Sequence, residues 1–304
     1  MGDESPSRKR RGVCGVSAKA PLVSVMMPVF NGAKTAVWAI ASVIAQTVED
    51  WEVIVVDDGS ADGTCNSIRS IGHPQIRVYR FEENRGRGAA RQFALENCRG
   101  EFLAMLDADD WWYPWKLDRQ LRFLEENPEI GVVSSAMTSV GGGGNIRGIW
   151  RPTGERLGVT ISPPLRSLFN TGVPCAPCLI RRDVVGDASY EPRLRRAEDF
   201  HFLAQILRRT SHAILPDPLY AYSDVPSFAR EGAVTRYLWS ARACLMLTRE
   251  FPLGGVNMAV REFAQVLGAL VRLRGTATLD EPDAKTVEQF EEARRQVQDW
   301  IPTC

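Results

Sequence analysis

Residues 102–110 read FLAMLDADD, so five apolar residues run directly into a cluster of acidic ones. A short apolar run of this kind is typical of a buried β-strand, and the carboxylates would then stand at its carboxyl end. In open α/β sheets, ligands bind in the crevice outside the carboxyl ends of the strands. The stretch therefore predicts a sheet whose carboxyl edge carries a ligand site.

A second strand ends in the same way, because residues 53–60 read VIVVDDGS. At the sheet edge, the carboxylate of Asp58 is placed to accept a hydrogen bond from a nucleotide base or a ribose hydroxyl. The alternative is an ordinary turn, because Asp-Gly-Ser sequences favour turns. The sequence of this segment alone leaves both interpretations open.

Outward from these two stretches, short apolar runs alternate with amphipathic segments from Leu22 to about Ser135. Further strands are predicted at residues 23–27, 76–81 and 130–135, and helices at residues 37–48, 89–97 and from Pro114 onward. Alternation of this kind is typical of an α/β fold with a mostly parallel sheet flanked by helices. We expect residues 21–135 to form a nucleotide-binding half.

Residues 136–227 form the predicted acceptor-binding half, with a strand at residues 178–180, a helix at residues 200–207 and loops between residues 141 and 177. Residues 1–20 are expected to form a disordered tail, and residues 228–304 a helical C-terminal extension. One helical face there carries Val260, Phe263, Leu267 and Leu270. Docking of this face onto the core or a second copy is favoured over peripheral membrane contact, which stays an alternative.

The composition excludes several classes of protein. Lys+Arg and Asp+Glu are equal at 37 each, so no overall charge attracts nucleic acid. Seven cysteines without paired spacing indicate a reducing compartment, and the Cys175–Cys178 pair lacks the further ligands of a zinc site. No run of about 18 apolar residues is present, so we expect a cytoplasmic protein, at most peripheral at the inner face of the membrane.

The acidic residues suggest metal chemistry. Asp107 and Asp109, one residue apart at a strand end, can meet a hard cation such as Mg²⁺ or Mn²⁺, which also takes substrate phosphates as ligands. Such a cation neutralises charge on a diphosphate leaving group. The indoles of Trp111 and Trp112 follow directly and can stack on a sugar, with core packing as the alternative.

Glu198 and Asp199 stand immediately before the predicted helix at residues 200–207. Capping of the helix explains acids at this place, whereas a partly buried carboxylate also suits a general base. Arg91 is placed to reach the acidic centre or a phosphate. Arg85 and Arg87 are predicted to be charges that face solvent.

Five motifs together resemble family 2 glycosyltransferases, which have the GT-A fold, over about two thirds of the chain. The motifs are VMMPVFN at residues 25–31, VVDDGS at 55–60, residues 84–91, LDADD at 106–110, and the IRR (180–182) and EDF (198–200) pair. The resemblance implies that Pro28, Phe30 and Asp58 hold the base, Arg91 supports the nucleotide pocket, Asp107 faces the ribose, Asp109 carries the metal and Asp199 is the base. Glu198, Trp111 and Trp112 are then candidates for contact with sugar or acceptor.

The resemblance also implies an inverting transferase that moves a sugar from a nucleoside-diphosphate sugar, with UDP favoured, to a hydroxyl acceptor. That acceptor would be a saccharide, a lipid-linked saccharide or a small molecule. Where the family often has Tyr-Arg-x-His, residues 220–223 read YAYS, so a cation for the diphosphate is missing. Arg230 is a candidate replacement. The alternative function is a catalytically silent nucleotide-binding scaffold that partners an active transferase.

Overall fold

The structure is a computed structural model that describes residues 20–151, 158–166, 172–223, 230–248, 251, 260 and 279–301. Residues 1–19 of the tail predicted at residues 1–20 lie outside this part, as do Phe263, Leu267 and Leu270 of the predicted apolar face. None of the helices in the described ranges is both long enough and apolar enough to cross a bilayer.

The first half alternates strands and helices as predicted. Its elements are β1 (Val23–Val29), α1 (Ala36–Ile44), β2 (Trp51–Asp57), α2 (Thr64–Ser70), β3 (Ile76–Arg80), α3 (Arg87–Asn97), β4 (Phe102–Met105), β5 (Trp111–Trp112) and α4 (Lys116–Glu126). Strands β3, β2, β1 and β4 lie side by side in this order, and all are parallel. Their carboxyl ends therefore share one edge of the sheet.

The second half continues the same sheet with mixed directions. Its elements are β6 (Ile130–Val140), β7 (Ile146–Trp150), β8 (Thr160–Ser162), β9 (Leu179–Arg181), α5 (Glu198–Leu207), β10 (Ser211–Ser223), α6 (Arg230–Met246) and α7 (Ala284–Gln298). Within the described ranges the order is β3-β2-β1-β4-β9-β6-β10-β5, with β7 on β6 and β8 on β10. Strand β9 runs antiparallel to both of its neighbours, so the mostly parallel arrangement holds only for the first half.

The sheet is buried on both faces. Side chains of β1 and β2 alternate between one cluster against α1 and α4, which includes Val25 and Val55, and another against α3 and α5, which includes Met26 and Ile54. A strand covered on both faces has no polar side to show, which explains the continuous apolar runs in the sequence.

The C-terminal helix α7 packs against the first half of the chain. Its Phe290, Ala293 and Val297 are buried with Trp111 and Tyr113, which directly follow the acidic cluster. The ring centroids of Phe290 and Trp111 are 5.3 Å apart. Helix α7 therefore supports the segment that carries the predicted metal ligand.

This packing predicts a large loss of stability when Phe290 is removed. The side chain is fully buried, and Phe→Ala in a core costs about 3–5 kcal/mol through lost burial and the cavity left behind. We expect Phe290→Ala to lower the denaturation midpoint accordingly, with Glu288→Ala, on an exposed face of the same helix, near wild type. Equal midpoints for the two variants would contradict the packing of α7.

Candidate active site

A cavity of about 550 Å³ opens at the carboxyl edge of the parallel strands. Loops after β1, β2 and β4 form it, together with the start of α3 and the segment before α5. Its lining includes Pro28, Phe30, Asn31, Asp58, Arg85, Arg87, Asp107, Asp109 and Arg195. Five of these were predicted as site residues, and the predicted Arg91 contacts one of them, Asp107.

Asp58 joins two of the loops that form the cavity. Its carboxylate oxygens accept hydrogen bonds from the backbone N–H groups of Arg85, at 2.7 Å, and Gly86, at 2.9 Å. Gly59, with φ of 79°, allows this approach, because a Cβ there would lie 2.8 Å from the carbonyl carbon of Glu83. Asp58 is therefore more than a local turn residue, and it shapes the cavity as well as lining it.

The loop after β1 is fixed to the loop after β2. Ser60 accepts a hydrogen bond from the Asn31 N–H, at 2.8 Å, and the Asn31 side chain accepts one from the Ala61 N–H, at 3.0 Å. These bonds hold Pro28 and Phe30 at the cavity wall, where the Phe30 ring is 51% exposed. An exposed ring on a rigid loop suits stacking on a nucleotide base.

Arg91 connects three acidic residues beneath the cavity. Its guanidinium donates to Asp107, at 2.6 Å, and to Glu198, at 2.8 Å, and lies 3.9 Å from Asp199. Burial alone would lower the pKa of Arg91, but these carboxylates raise it well above its ordinary value. Burial likewise acts to raise the pKa of Asp107, and the charges of Arg91 and Arg87 outweigh this and lower it. Asp107 is thus ionised and held in place.

Asp109 and Asp110 point to different surroundings. Asp110 is buried and accepts hydrogen bonds from the Tyr220 hydroxyl and the Ser223 N–H, both at 2.8 Å. Burial, and then the charges of Asp107 and Asp109, raise its pKa well above the ordinary value. Asp109 instead faces the cavity, where partial burial and the charge of Asp107 raise its pKa. Asp110 therefore anchors the loop to β10, and Asp109 is available to a ligand.

The environment of Asp109 fits a divalent cation. A carboxylate whose pKa is raised beside a second carboxylate is stabilised in its ionised form by a nearby positive charge. The described residues contain no group of three or more metal-binding side chains. Mg²⁺-type sites use one or two carboxylates together with waters and substrate phosphates.

Asp199 is the second residue of helix α5 and does not cap it. The N-cap position belongs to Ala197, which has φ of 59° and turns the chain into the helix. The Asp199 carboxylate accepts only a local hydrogen bond, from the Phe200 N–H at 2.8 Å, and its side chain is 41% exposed. Asp199 is therefore not the N-cap residue, although its carboxylate lies in the first turn, where it complements the helix dipole.

Three predictions of ligand contact are corrected by burial. Trp112 is fully buried beneath the Lys116 ammonium, and Trp111 packs between Tyr113 and Phe290, so neither indole has a face for a sugar. Glu198 is buried in ion pairs with Arg91 and Arg87, so it orients these arginines instead of contacting an acceptor.

The arginines make contacts that the sequence did not predict. Arg85 and Arg87 are exposed, as predicted, but Arg87 also lines the cavity and its Nε lies 3.1 Å from Glu198. The Arg85 guanidinium covers the Phe81 ring at 4.8 Å. Arg230 begins α6, and its side chain lies outside the described residues.

Sequence reasoning missed several residues of the site. Arg87 precedes Arg91 by four residues, a spacing that places both on one helix face and was a usable signal. Tyr220 and Arg195 gave no such signal, because their roles depend on contacts between distant segments.

Comparisons with known proteins identify the family and the fold of this chain. A model of the family described as glycosyl transferase family 2 matches residues 24–187, more than half of the chain. A Rickettsia felis protein named as a glycosyltransferase is 36% identical over 132 residues, which are 42% of this chain and 22% of that protein. The Escherichia coli UDP-Glc:alpha-D-GlcNAc-diphosphoundecaprenol beta-1,3-glucosyltransferase WfgD is 37% identical over 106 residues, 35% of this chain and 42% of the enzyme. The chain thus spans less than half the length of either relative.

Two solved structures share the fold. Staphylococcus aureus TarS 1–349 in complex with UDP-GlcNAc matches with a TM-score of 0.62 at 20% identity, over 92% of this chain and 81% of TarS. The Pyrobaculum calidifontis mannosyltransferase PcManGT, in complex with GDP-Man and Mn²⁺, matches with a TM-score of 0.60 at 16% identity, over 93% of this chain and 86% of that one. These matches confirm the predicted fold, and the family model confirms the predicted family: the chain belongs to glycosyl transferase family 2.

Proposed function

We propose that the protein is an inverting glycosyltransferase that moves a sugar from a nucleoside-diphosphate sugar, with UDP favoured, to a hydroxyl acceptor. The observation that carries the proposal is the cavity in which Asp58, Asp107 and Asp109 meet at the carboxyl ends of β2 and β4. A donor of this class also fits the relatives, since WfgD is named for UDP-Glc and TarS was solved with UDP-GlcNAc.

Each wall of the cavity has its own proposed role. Pro28, Phe30 and the loops held by Asp58 receive the base, while Asp107, fixed by Arg91, accepts from the ribose. Asp109 holds Mn²⁺ or Mg²⁺, which when bound neutralises charge on the diphosphate. Mn²⁺ also accompanies GDP-Man in PcManGT.

Asp199 is the proposed general base. Its half-exposed carboxylate lies beside Arg91, which also contacts Asp107, so the base and the nucleotide pocket share one fixed arginine. The acceptor oxygen attacks the anomeric carbon as its proton passes to Asp199, and the bond to the diphosphate breaks on the opposite face. This displacement in a single step inverts the anomeric centre.

The acceptor class is proposed from the relatives. WfgD is named for a lipid-linked saccharide acceptor, and we infer an acceptor of that kind, or a growing polysaccharide or small molecule, at the region of residues 136–227. We further propose that residues 21–227 form the catalytic domain and that the C-terminal extension supports it through α7.

A donor screen tests the function. Release of the nucleoside diphosphate is measured with a panel of UDP- and GDP-sugars, in Mn²⁺ and in excess chelator. Metal-dependent release from one donor is the expected result. Absence of release from every donor, with or without a saccharide acceptor, would contradict the proposed activity.

The scaffold alternative has one observation in its favour. Ala221, at the place where the family often has arginine, is fully buried against Trp111 in the sheet and offers no cation. A scaffold would bind UDP or GDP in calorimetry and still release no product from any donor.

Asp58→Ala is expected to weaken nucleotide binding. The change leaves two backbone N–H groups without their acceptor and frees the loop at residues 84–86, which costs about 1–3 kcal/mol. Calorimetry with UDP measures the change in affinity, with Asp118→Ala, on helix α4 outside the cavity, as the control. Equal affinities of Asp58→Ala and wild type would remove Asp58 from the nucleotide pocket.

A further inference from the structure

The cavity that holds Asp109 is also lined by three arginines, Arg85, Arg87 and Arg195. The guanidinium of Arg85 stacks on the face of Phe81. Among the described lining residues, Arg87 and Arg195 are the two arginines whose guanidinium groups are not placed over a ring, and neither has a role in the proposed function.

Arg87 lines the same cavity as Asp107 and Asp109. The side chain is half exposed, and its described ion pair to Glu198 is made through Nε. A guanidinium carries five N–H donors in a fork, so donors are left for a second anion.

Arg195 reaches the cavity from a different part of the chain, the segment between β9 and α5. It is exposed and forms no hydrogen bond or ion pair with another described residue. The neighbouring Arg193, in contrast, is paired with Glu191 at 2.7 Å and does not line the cavity. An arginine that lines a cavity without a described acidic partner is suited to an anionic ligand.

We propose that Arg87 and Arg195 bind the diphosphate of the donor and replace the cation that is missing at Ala221. This inference rests on the proposed function. When the bond between the anomeric carbon and the β-phosphate oxygen breaks, its electron pair stays on that oxygen, and the leaving diphosphate gains one negative charge. Arginine forks match phosphate oxygens with paired hydrogen bonds and stabilise this charge.

The test measures binding of UDP, GDP and UMP by calorimetry in Mn²⁺ for wild type, Arg87→Gln, Arg195→Gln and the control Arg193→Gln. Loss of a charge-assisted phosphate contact corresponds to about a 10–100-fold loss of affinity. We expect a loss of this size for the diphosphate that wild type binds, and a smaller loss for UMP, which has no β-phosphate. Arg193→Gln should bind as wild type does.

Stability is followed in parallel, because Arg87 also pairs with Glu198. Arg195→Gln breaks no described ion pair, so its melting temperature should equal that of wild type. If Arg87→Gln unfolds, the diphosphate affinity of Arg195→Gln alone tests the proposal. Wild-type diphosphate affinity in Arg195→Gln and in a folded Arg87→Gln, or equal losses for UMP and diphosphate, would overturn this inference alone. A wild-type protein that binds neither UDP nor GDP would instead contradict the proposed function itself.

Discussion

Asp109→Ala is expected to abolish metal-stimulated turnover of the donor. Asp109 is the carboxylate that faces the cavity, whereas Asp107 is held by Arg91 and Asp110 is buried against Tyr220. Without Asp109, the carboxylates left in the described cavity lining are Asp58 and Asp107, which are held by protein donors. The cation would then have lost its proposed ligand, and the leaving diphosphate its neutralising charge.

The measurement pairs rate with binding. Donor turnover and UDP affinity are each compared in Mn²⁺ and in excess chelator. In wild type, Mn²⁺ should raise both the turnover and the UDP affinity, whereas in Asp109→Ala it should raise neither. The control Asp118→Ala, on helix α4 outside the cavity, should behave as wild type. An Asp109→Ala protein whose rate still rises with Mn²⁺ would show that the metal is held elsewhere.

The position of the candidate site was predictable because a buried parallel strand is an apolar run in the sequence, and polar residues begin where the strand ends. Strands β2 and β4 are buried on both faces, so residues 53–56 and 102–105 are continuous apolar runs, and the acids that follow each run mark the carboxyl edge of the sheet. Asp58 and Asp109 were found in this way without knowledge of any contact between them. Both strands pair in parallel with β1, which places their loops at the same edge.

The partners of the acidic residues were not predictable, because they come from distant segments. Glu198 contacts Arg91, 107 residues away, and Asp110 contacts Tyr220, 110 residues away. Burial decides the role of each acidic residue. A buried carboxylate needs a hydrogen-bond donor from the protein, whereas a carboxylate at the cavity can bind a ligand. The sequence pattern shows neither burial nor pairing at such positions.

Trp111 and Trp112 were misassigned for a related reason. Both follow the acidic cluster, and proximity in sequence favoured contact with a sugar. The short strand β5 instead pairs with β10, and α7, more than 170 residues later, covers Trp111. The last helix of the chain thus determines the environment of residues beside the metal ligand, and no local pattern carries that information.

Asp199→Asn is expected to stop transfer while leaving the fold intact. The helix begins at Glu198 after Ala197, so Asp199 contributes to stability through its place in the first turn, its bond from Phe200 and its charge 3.9 Å from Arg91. Asn keeps an oxygen for that bond, and the lost charge costs about 0.3–1 kcal/mol at an exposed helix start. The amide cannot take up the acceptor's proton, and loss of a positioned base slows turnover by about 10²–10⁴-fold.

Glu198→Gln is the matched control for this prediction. It makes the same chemical change one residue earlier, but in a buried carboxylate that holds both Arg91 and Arg87. Removing one member of a buried ion pair costs about 3–5 kcal/mol, so this variant should melt early and lose activity together with stability. The two variants therefore distinguish the proposed general base, Asp199, from Glu198, which holds two arginines in place.

The decisive comparison is the rate of transfer against the melting temperature and UDP affinity for Asp199→Asn. A general base affects mainly the rate, because Asp199 makes no described hydrogen bond to Asp58, Phe30 or Asp107 of the proposed nucleotide pocket. Arg91, which lies beside Asp199, keeps its hydrogen bonds to Asp107 and Glu198 in this variant. An Asp199→Asn protein that transfers sugar at nearly the wild-type rate, or that melts early in proportion to its lost activity, would contradict the assignment. Because Glu198 is buried and forms ion pairs with Arg87 and Arg91, the general base would then have to be a residue other than Glu198 and Asp199.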